Sequence, residues 1–408
     1  MHFPQALREL GYTCPTQFAN HDEAAMIPFD FHPRTRIVFG PGVIGQLGDL
    51  AKELGSQRAL VVSDPGVIKA RHTQTGIDVL SAAGIESFLF DGVQENPTTA
   101  NVAAGVEFAQ DCQPQLIIGL GGGSAMDCAK GINFLYTGGG EMKDYWGIGK
   151  AKEEMLPMIA VPTTAGTGSE AQSFALISDA ETHVKMACGD KKASCKIALL
   201  DPNLTVTQPP MVTALTGIDA IAHALETFVT KKRNSCSLAF SREAWRLLAG
   251  NFSKVLKNPT DLEARGGMQL GACFAGLAIE NSMLGAAHAM ANPLTARYGV
   301  THGQAVAMML PHVIRYNAEQ FAPWYEELLS VPWDGNPIHA ADRHPELLAE
   351  MVRTWVTEAG LSTRLGQLSI GDDQLGPMSE EAAKQWTGTF NPREVGVAEF
   401  RALYESAL

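Results

Sequence analysis

The pattern of apolar residues changes character once along this chain, near residue 208, and that change limits the folds open to it. Before it, short unbroken apolar runs alternate with segments of helical period. Runs at 36–40, 58–63, 85–90, 115–120 and 158–162 alternate with helical segments at 45–54, 73–83, 99–110 and 125–134, and shorter runs follow at 175–178, 184–187 and 197–200. A continuous apolar run, rather than an alternating one, marks a strand buried on both faces, as in parallel sheets. Strands alternating with helices predict an open, mostly parallel α/β sheet with right-handed crossovers. After the proline-bearing stretch at 201–210, only the helical period persists, at 239–252, 261–278, 305–317, 345–359 and 397–406. The expected organisation is an N-terminal extension over 1–28 with one short helix at 5–10, an α/β domain over 29–208 and an all-α domain over 209–408.

The 408 residues suffice for two domains with a large core. A net charge of −13 argues against non-specific binding to nucleic acid. No apolar run is long enough for a membrane helix, and the first twenty residues lack the apolar stretch of a secretory signal. Seven cysteines, odd in number and without a C-x-x-C pair, read as free thiols in a reducing cytoplasm.

Four stretches carry chemistry. Thr216 to Glu226 reads as the first turns of a helix in which Asp219 and His223, four apart, share one face. A carboxylate and an imidazole among small aliphatic residues need a partner, and Zn²⁺ or Fe²⁺ suits that donor pair. Two later histidines extend the set: His288, placed near the end of a small-residue helix by the Pro293 that follows, and His302 before Gly303. Gly121, Gly122, Gly123 and Ser124 lie between a strand and a helix, where bare backbone and a helix N-terminus can receive a phosphate. Asp64 ends the second strand, where an acidic group can bond a ribose, or simply cap the turn at Asp-Pro-Gly. The segment 162–170, rich in Thr and Gly, follows another strand and can wrap a cofactor.

With these blocks in view, the chain resembles the iron-containing (group III) alcohol dehydrogenase family. The matching blocks are G-G-G-S-A-M-D at 121–127, P-T-T-A-G-T-G-S-E at 162–170, D-P at 201–202, G-I-D-A-I-A-H-A-L-E at 217–226, G-A-A-H-A-M at 285–290, H-G at 302–303 and N-P-R at 391–393. The resemblance implies a dehydroquinate synthase-like architecture, with the site in the cleft between a dinucleotide-binding domain and a helical domain. It implies Fe²⁺, or Zn²⁺, on Asp219, His223, His288 and His302. It implies NAD on Gly122, Gly123, Ser124 and Asp127, with Thr163, Thr164, Thr167 and Lys185 lining it and Asp64 and Asn96 on its adenosine side. The implied reaction moves a hydride between a small alcohol, diol or aldehyde and the nicotinamide, in a homodimer or larger assembly.

One position departs from the family pattern. Asn292 stands where members often carry a second histidine four residues after the third ligand, and an amide cannot serve as a general base. That alters the expected proton route. The alternatives within the same superfamily are a hydroxyacid–oxoacid transhydrogenase and a polyol or polyol-phosphate dehydrogenase. A non-catalytic binding protein is the alternative outside it.

Overall fold

The computed structural model describes residues 27–182, 184–335 and 337–408. The short helix expected at 5–10 lies outside the described residues. Among the described residues nine strands come first: β1 (Arg36–Phe39), β2 (Arg58–Val62), β3 (Glu86–Phe90), β4 (Leu116–Gly121), β5 (Gly147–Ile148), β6 (Met158–Pro162), β7 (Phe174–Ser178), β8 (Lys185–Gly189) and β9 (Ile197–Leu200). Between them run α1 (Leu47–Glu53), α2 (Pro65–Lys69), α3 (His72–Ala82), α4 (Thr99–Cys112) and α5 (Gly123–Gly138). Six strands make one sheet in the order β1-β9-β6-β4-β2-β3, and every pairing in it is parallel. The expected open parallel sheet is therefore present. A second, three-stranded sheet, β5-β8-β7, pairs β7 antiparallel to β8.

The unbroken apolar runs behave as burial on both faces requires. Every residue of β4, β6 and β9 is buried, and two separate apolar clusters cover the two sides of the sheet. The chain steps from β2 outward to β3, then returns to β4 on the other side of β2 and moves away through β6. The reversal falls between β2 and β4, and open α/β sheets bind ligands beyond the carboxyl ends of the strands at such a point. Asp64 and Gly122 lie just past those two ends.

From Pro210 the chain is helical: α6 (Pro210–Val229), α7 (Ser235–Lys257), α8 (Leu262–Asn281), α9 (Ala286–Tyr298), α10 (His302–Leu329), α11 (Pro345–Glu358), α12 (Leu375–Ala382) and α13 (Val397–Ser406). Their inward faces share one large apolar cluster. Among the described residues α6 is the one single helix long and apolar enough to cross a membrane. It is instead the buried core helix of this half, and it carries Asp219 and His223.

Three expectations need correction. The segment 216–226 is the middle of α6, not its start, because Pro210 takes the first helical position, where a missing N–H costs nothing. His288 lies in the first turn of α9, not near its end; Pro293 sits inside the helix, which runs on to a left-handed Gly299 cap. The segment 305–317 is part of a longer helix that begins at His302 and continues past Pro311 and Pro323, with a kink at Phe321.

Candidate metal and cofactor site

Asp219 and His223 project from the middle of α6, His288 from the first turn of α9, and His302 from the first residue of α10. Close packing brings these three helices together. Gly303 lies where a Cβ would come within 2.3 Å of the Leu215 carbonyl oxygen, so the start of α10 meets α6 backbone to backbone.

The Asp219 carboxylate is the hub. Its Oδ1 lies 3.4 Å from His288 Nε2 and 3.7 Å from His302 Nε2, and its Oδ2 lies 3.5 Å from His223 Nε2. The His223 and His288 rings stack at 4.8 Å. Asp219 Oδ1 and His288 Nε2 are buried without a hydrogen-bond partner, and buried polar atoms rarely go unpartnered without a reason. Asp219, His288 and His302 offer donor atoms within 4.8 Å of one another, and His223 extends the set through the second carboxylate oxygen. Imidazole and carboxylate donors, converging with orphaned atoms turned inward, fit Fe²⁺ or Zn²⁺.

Protonation states agree with that fit. Burial pushes the Asp219 carboxyl up, but the facing His223, His288 and His302 rings more than offset it and hold it well below the carboxylate range. Burial brings His302 down to about 3 and lowers His223, so both present neutral imidazoles, the form that binds a metal. His288 differs. Burial works against its charge, yet the Glu226 carboxylate raises it to about 9. Glu226 Oε2 lies 2.5 Å from His288 Nδ1, and Glu226 Oε1 accepts from the Ala287 backbone N–H at 2.8 Å. A carboxylate behind a ligating imidazole fixes the ring and its tautomer, turning Nε2 toward the site. With His288 deprotonated as well, as metal binding requires, the cluster carries the charges of Asp219 and Glu226, which a divalent cation offsets.

The sequence contained a signal for Glu226 that went unused. Positions 219, 223 and 226 repeat at four and three, one face of a helix. Asn391 is tied in as well: its Oδ1 accepts from the Ala286 N–H at 3.3 Å and from Asn317 Nδ2 at 3.1 Å. It thus braces the first turn of α9 from the far end of the chain.

The expected cofactor residues also meet. Helix α5 starts at Gly123 with no side chain capping it, so its first N–H groups stay available at the positive end of the helix. A Cβ on Gly123 would come within 2.6 Å of Thr167, and one on Gly122 within 3.3 Å of Thr164, so the two loops face each other at contact distance. Thr163 N–H donates to the Gly121 carbonyl at 2.9 Å. Asn96 N–H donates to Ser124 Oγ at 3.2 Å, and Lys185 Nζ reaches Asn96 Oδ1 at 3.5 Å. Asp64 Oδ1 caps α2 through the N–H groups of Gly66 and Val67 while Oδ2 lies beside Gly121. The capping role is real, and it leaves the carboxylate at the switch point.

Two residues without an expected role bind this region together. Lys130 is fully buried and donates to the Ser169 carbonyl and hydroxyl and to the carbonyls of Gln172 and Phe174, at 2.6–2.9 Å. Ser169 Oγ in turn donates to Asp127 Oδ1 at 2.8 Å. Lys185 joins the two halves of the site. Its protein surroundings lower its pKa against the charges of both Asp127 and Asp219, and its own charge helps keep His302 neutral. The Asp219–histidine cluster and the glycine-rich loop region therefore both lie within reach of Lys185.

Residues 33–202 match the family described as iron-containing alcohol dehydrogenase, and residues 213–408 match its C-terminal part, described as Fe-containing alcohol dehydrogenase family, C-terminal. The chain belongs to the iron-containing alcohol dehydrogenase family. It is an NAD-linked oxidoreductase of the alcohol dehydrogenase or reductase type. It is 33% identical to alcohol dehydrogenase 4 of Schizosaccharomyces pombe, over 91% of this chain and 87% of that one. It is 34% identical to 1,3-propanediol dehydrogenase of Klebsiella pneumoniae, over 93% and 98%. Among solved structures, a 1,3-propanediol oxidoreductase superposes with a TM-score of 0.89 at 32% identity, over 93% of this chain and all of that one. A sulfoacetaldehyde reductase from Bifidobacterium kashiwanohense in complex with NAD⁺ superposes with a TM-score of 0.83 at 25% identity, over 93% and 99%.

Proposed function

We propose that this enzyme interconverts small neutral alcohols or diols and their aldehydes with NAD(H), using a divalent metal, Fe²⁺ or Zn²⁺, held by Asp219, His223, His288 and His302. The observation that carries the proposal is the convergence of three imidazoles on the Asp219 carboxylate, with Asp219 Oδ1 and His288 Nε2 buried and unpartnered. A bound divalent metal supplies Lewis acidity toward an alcohol or carbonyl oxygen, while the nicotinamide supplies the hydride chemistry. The chain's own residues do the rest. Gly122, Gly123 and Ser124 receive the pyrophosphate at the α5 N-terminus, and Asp127 with Ser169 holds the facing loop. Thr163, Thr164 and Thr167 line that loop, Asp64 and Asn96 meet the adenosine side, and Lys185 keeps positive charge beside the nicotinamide. The carboxylate of Asp64 favours NAD over NADP, since it repels a 2′-phosphate.

Asn292 Nδ2 donates to Gln385 Oε1 at 2.8 Å. It is tied into the wall of the cleft and carries no titratable proton, so the reaction's proton leaves through water and cofactor hydroxyls. The functional units are 29–208 for the cofactor and 209–408 for the metal. The enzyme works in the cytoplasm as a homodimer or larger homo-oligomer, consistent with six described cysteines that are all free thiols.

Metal-stripped protein titrated with Fe²⁺ or Zn²⁺, assayed for NADH formation and consumption against short alcohols, diols and aldehydes, tests this. Turnover that appears with metal and vanishes with a chelator is the expected result. Full activity in the chelated protein overturns the metal assignment.

A further inference from the structure

Trp386 is among the large apolar side chains left exposed, at 41%. It opens the short 3-10 segment Trp386–Phe390. That segment lies along the helix that carries His288. Gln385 accepts from Asn292, one turn beyond His288, and Gly388 sits where a Cβ would come within 3.4 Å of the Ala289 Cβ. Trp386 is held between these two contacts. Phe390 meets its indole edge-on at 5.8 Å and fixes it from behind.

From the other domain, the Phe174 ring comes within 6.2 Å of the Trp386 ring. Phe174 is rigidly seated. Its ring lies on Gly189, where a Cβ would approach to 2.4 Å, and its carbonyl accepts from buried Lys130 at 2.9 Å. Lys130 also holds Ser169, the hydroxyl that bonds Asp127 at the cofactor helix. The aromatic pair thus spans the two domains, one ring braced from the metal side and the other from the cofactor side.

We propose that Trp386 and Phe174 form the wall on which the substrate's chain lies, and that they select neutral alcohols and aldehydes with an apolar chain over polyols and over quaternary-ammonium alcohols. The inference rests on the proposed alcohol chemistry and names its substrate class. Two rings present a broad apolar face, and burying each methylene against such a face is worth about 0.8 kcal/mol, about fourfold in affinity. A second hydroxyl laid on these ring faces gives up water without gaining a hydrogen-bond partner there. Aromatic faces also attract quaternary ammonium groups, so an experiment must separate the two attractions.

Metal-loaded enzyme is assayed with NAD⁺ and a series from ethanol to hexanol, with 1,3-propanediol and glycerol, and with choline against its neutral isostere 3,3-dimethylbutan-1-ol. Binding of the same compounds is followed separately from turnover through the fluorescence of enzyme-bound NADH. We expect kcat/KM and affinity to rise about fourfold per methylene. We expect propanol to exceed 1,3-propanediol and the neutral isostere to exceed choline. Trp386→Ala, and independently Phe174→Ala, flattens the series to less than twofold per methylene while metal content and NADH affinity stay at wild-type values. A flat series in the wild type, a preference for diols or choline, or an unchanged slope in both variants overturns the inference. Affinity that climbs with chain length without turnover of any alcohol overturns the proposed reaction and leaves the apolar wall standing. Turnover without a chain-length slope does the reverse.

Discussion

Glu226 touches no substrate, and its side chain serves to aim His288. It accepts from His288 Nδ1 and from the Ala287 N–H at once, so the ring and the first turn of its helix are set by one carboxylate. Gln at this position keeps the shape but replaces one acceptor oxygen with a donor, so the ring and the backbone N–H can no longer both be satisfied. Glu226→Gln should therefore weaken metal binding by about 10- to 100-fold, read by competition with a chromogenic chelator, with the circular dichroism spectrum unchanged. Wild-type metal affinity in that variant contradicts the aiming role. At this scale the four ligand candidates were legible because imidazoles and a carboxylate stand out among small aliphatic neighbours. Glu226 was less so. A glutamate at helical spacing is usually a solvated residue, and only the approach of a second helix turns this one into a buried partner.

At the level of elements, the site depends on how closely loops and helices approach. Gly168 has φ +62°, and a Cβ there would come within 2.7 Å of the Gly276 Cα. A Cβ on Gly276 would in turn come within 2.4 Å of the Gly168 carbonyl oxygen. This glycine pair lets the loop after β6 rest directly on α8, and so sets where Thr163, Thr164 and Thr167 face the start of α5. Gly276→Ala must push loop and helix apart. We expect a loss of about 1–3 kcal/mol in urea unfolding, as overpacking of a tight contact costs, together with weaker NADH binding by fluorescence titration. Unchanged NADH affinity would separate the loop's position from cofactor binding. The same scale explains why helix ends were misplaced from sequence. Pro293 read as a helix end, yet α9 passes through it, and α10 runs through both Pro311 and Pro323. Tertiary packing compensates the lost hydrogen bond, and proline chemistry alone cannot register that packing.

For the whole molecule, the join between sheet and helical half carries a pH dependence. Glu170 follows the cofactor loop and is buried against Cys273 of α8. Burial raises its carboxyl from the ordinary 4.5 to about 7. The folded protein then holds this proton more tightly than the unfolded chain. The stability it contributes is complete below about 4.5 and is lost as pH climbs through about 7. A gap of that size corresponds to about 3 kcal/mol. Glu170→Gln, neutral at every pH, should flatten the melting temperature between pH 5 and 8 and leave the variant more stable than wild type at about pH 8. A parallel decline in both proteins would place the pH dependence elsewhere.

Periodicity was enough to read the architecture. Unbroken apolar runs become strands buried on both faces, and the helical period persists where the all-α half forms, because both patterns are local consequences of which faces must leave water. The loops after β4 and β6 were legible for a related reason: glycine clusters between strand and helix mark places where backbone must come close to something. What packing alone decided is how these pieces meet. The Gly168–Gly276 contact, the Glu226–His288 pair and the Asn391 brace join residues far apart in sequence. The Asn292–Gln385–Trp386 wall and its Phe174 neighbour do the same across the cleft. No local pattern encodes such distances. They follow from the way the helical half docks on the sheet, where each contact is held by all the others.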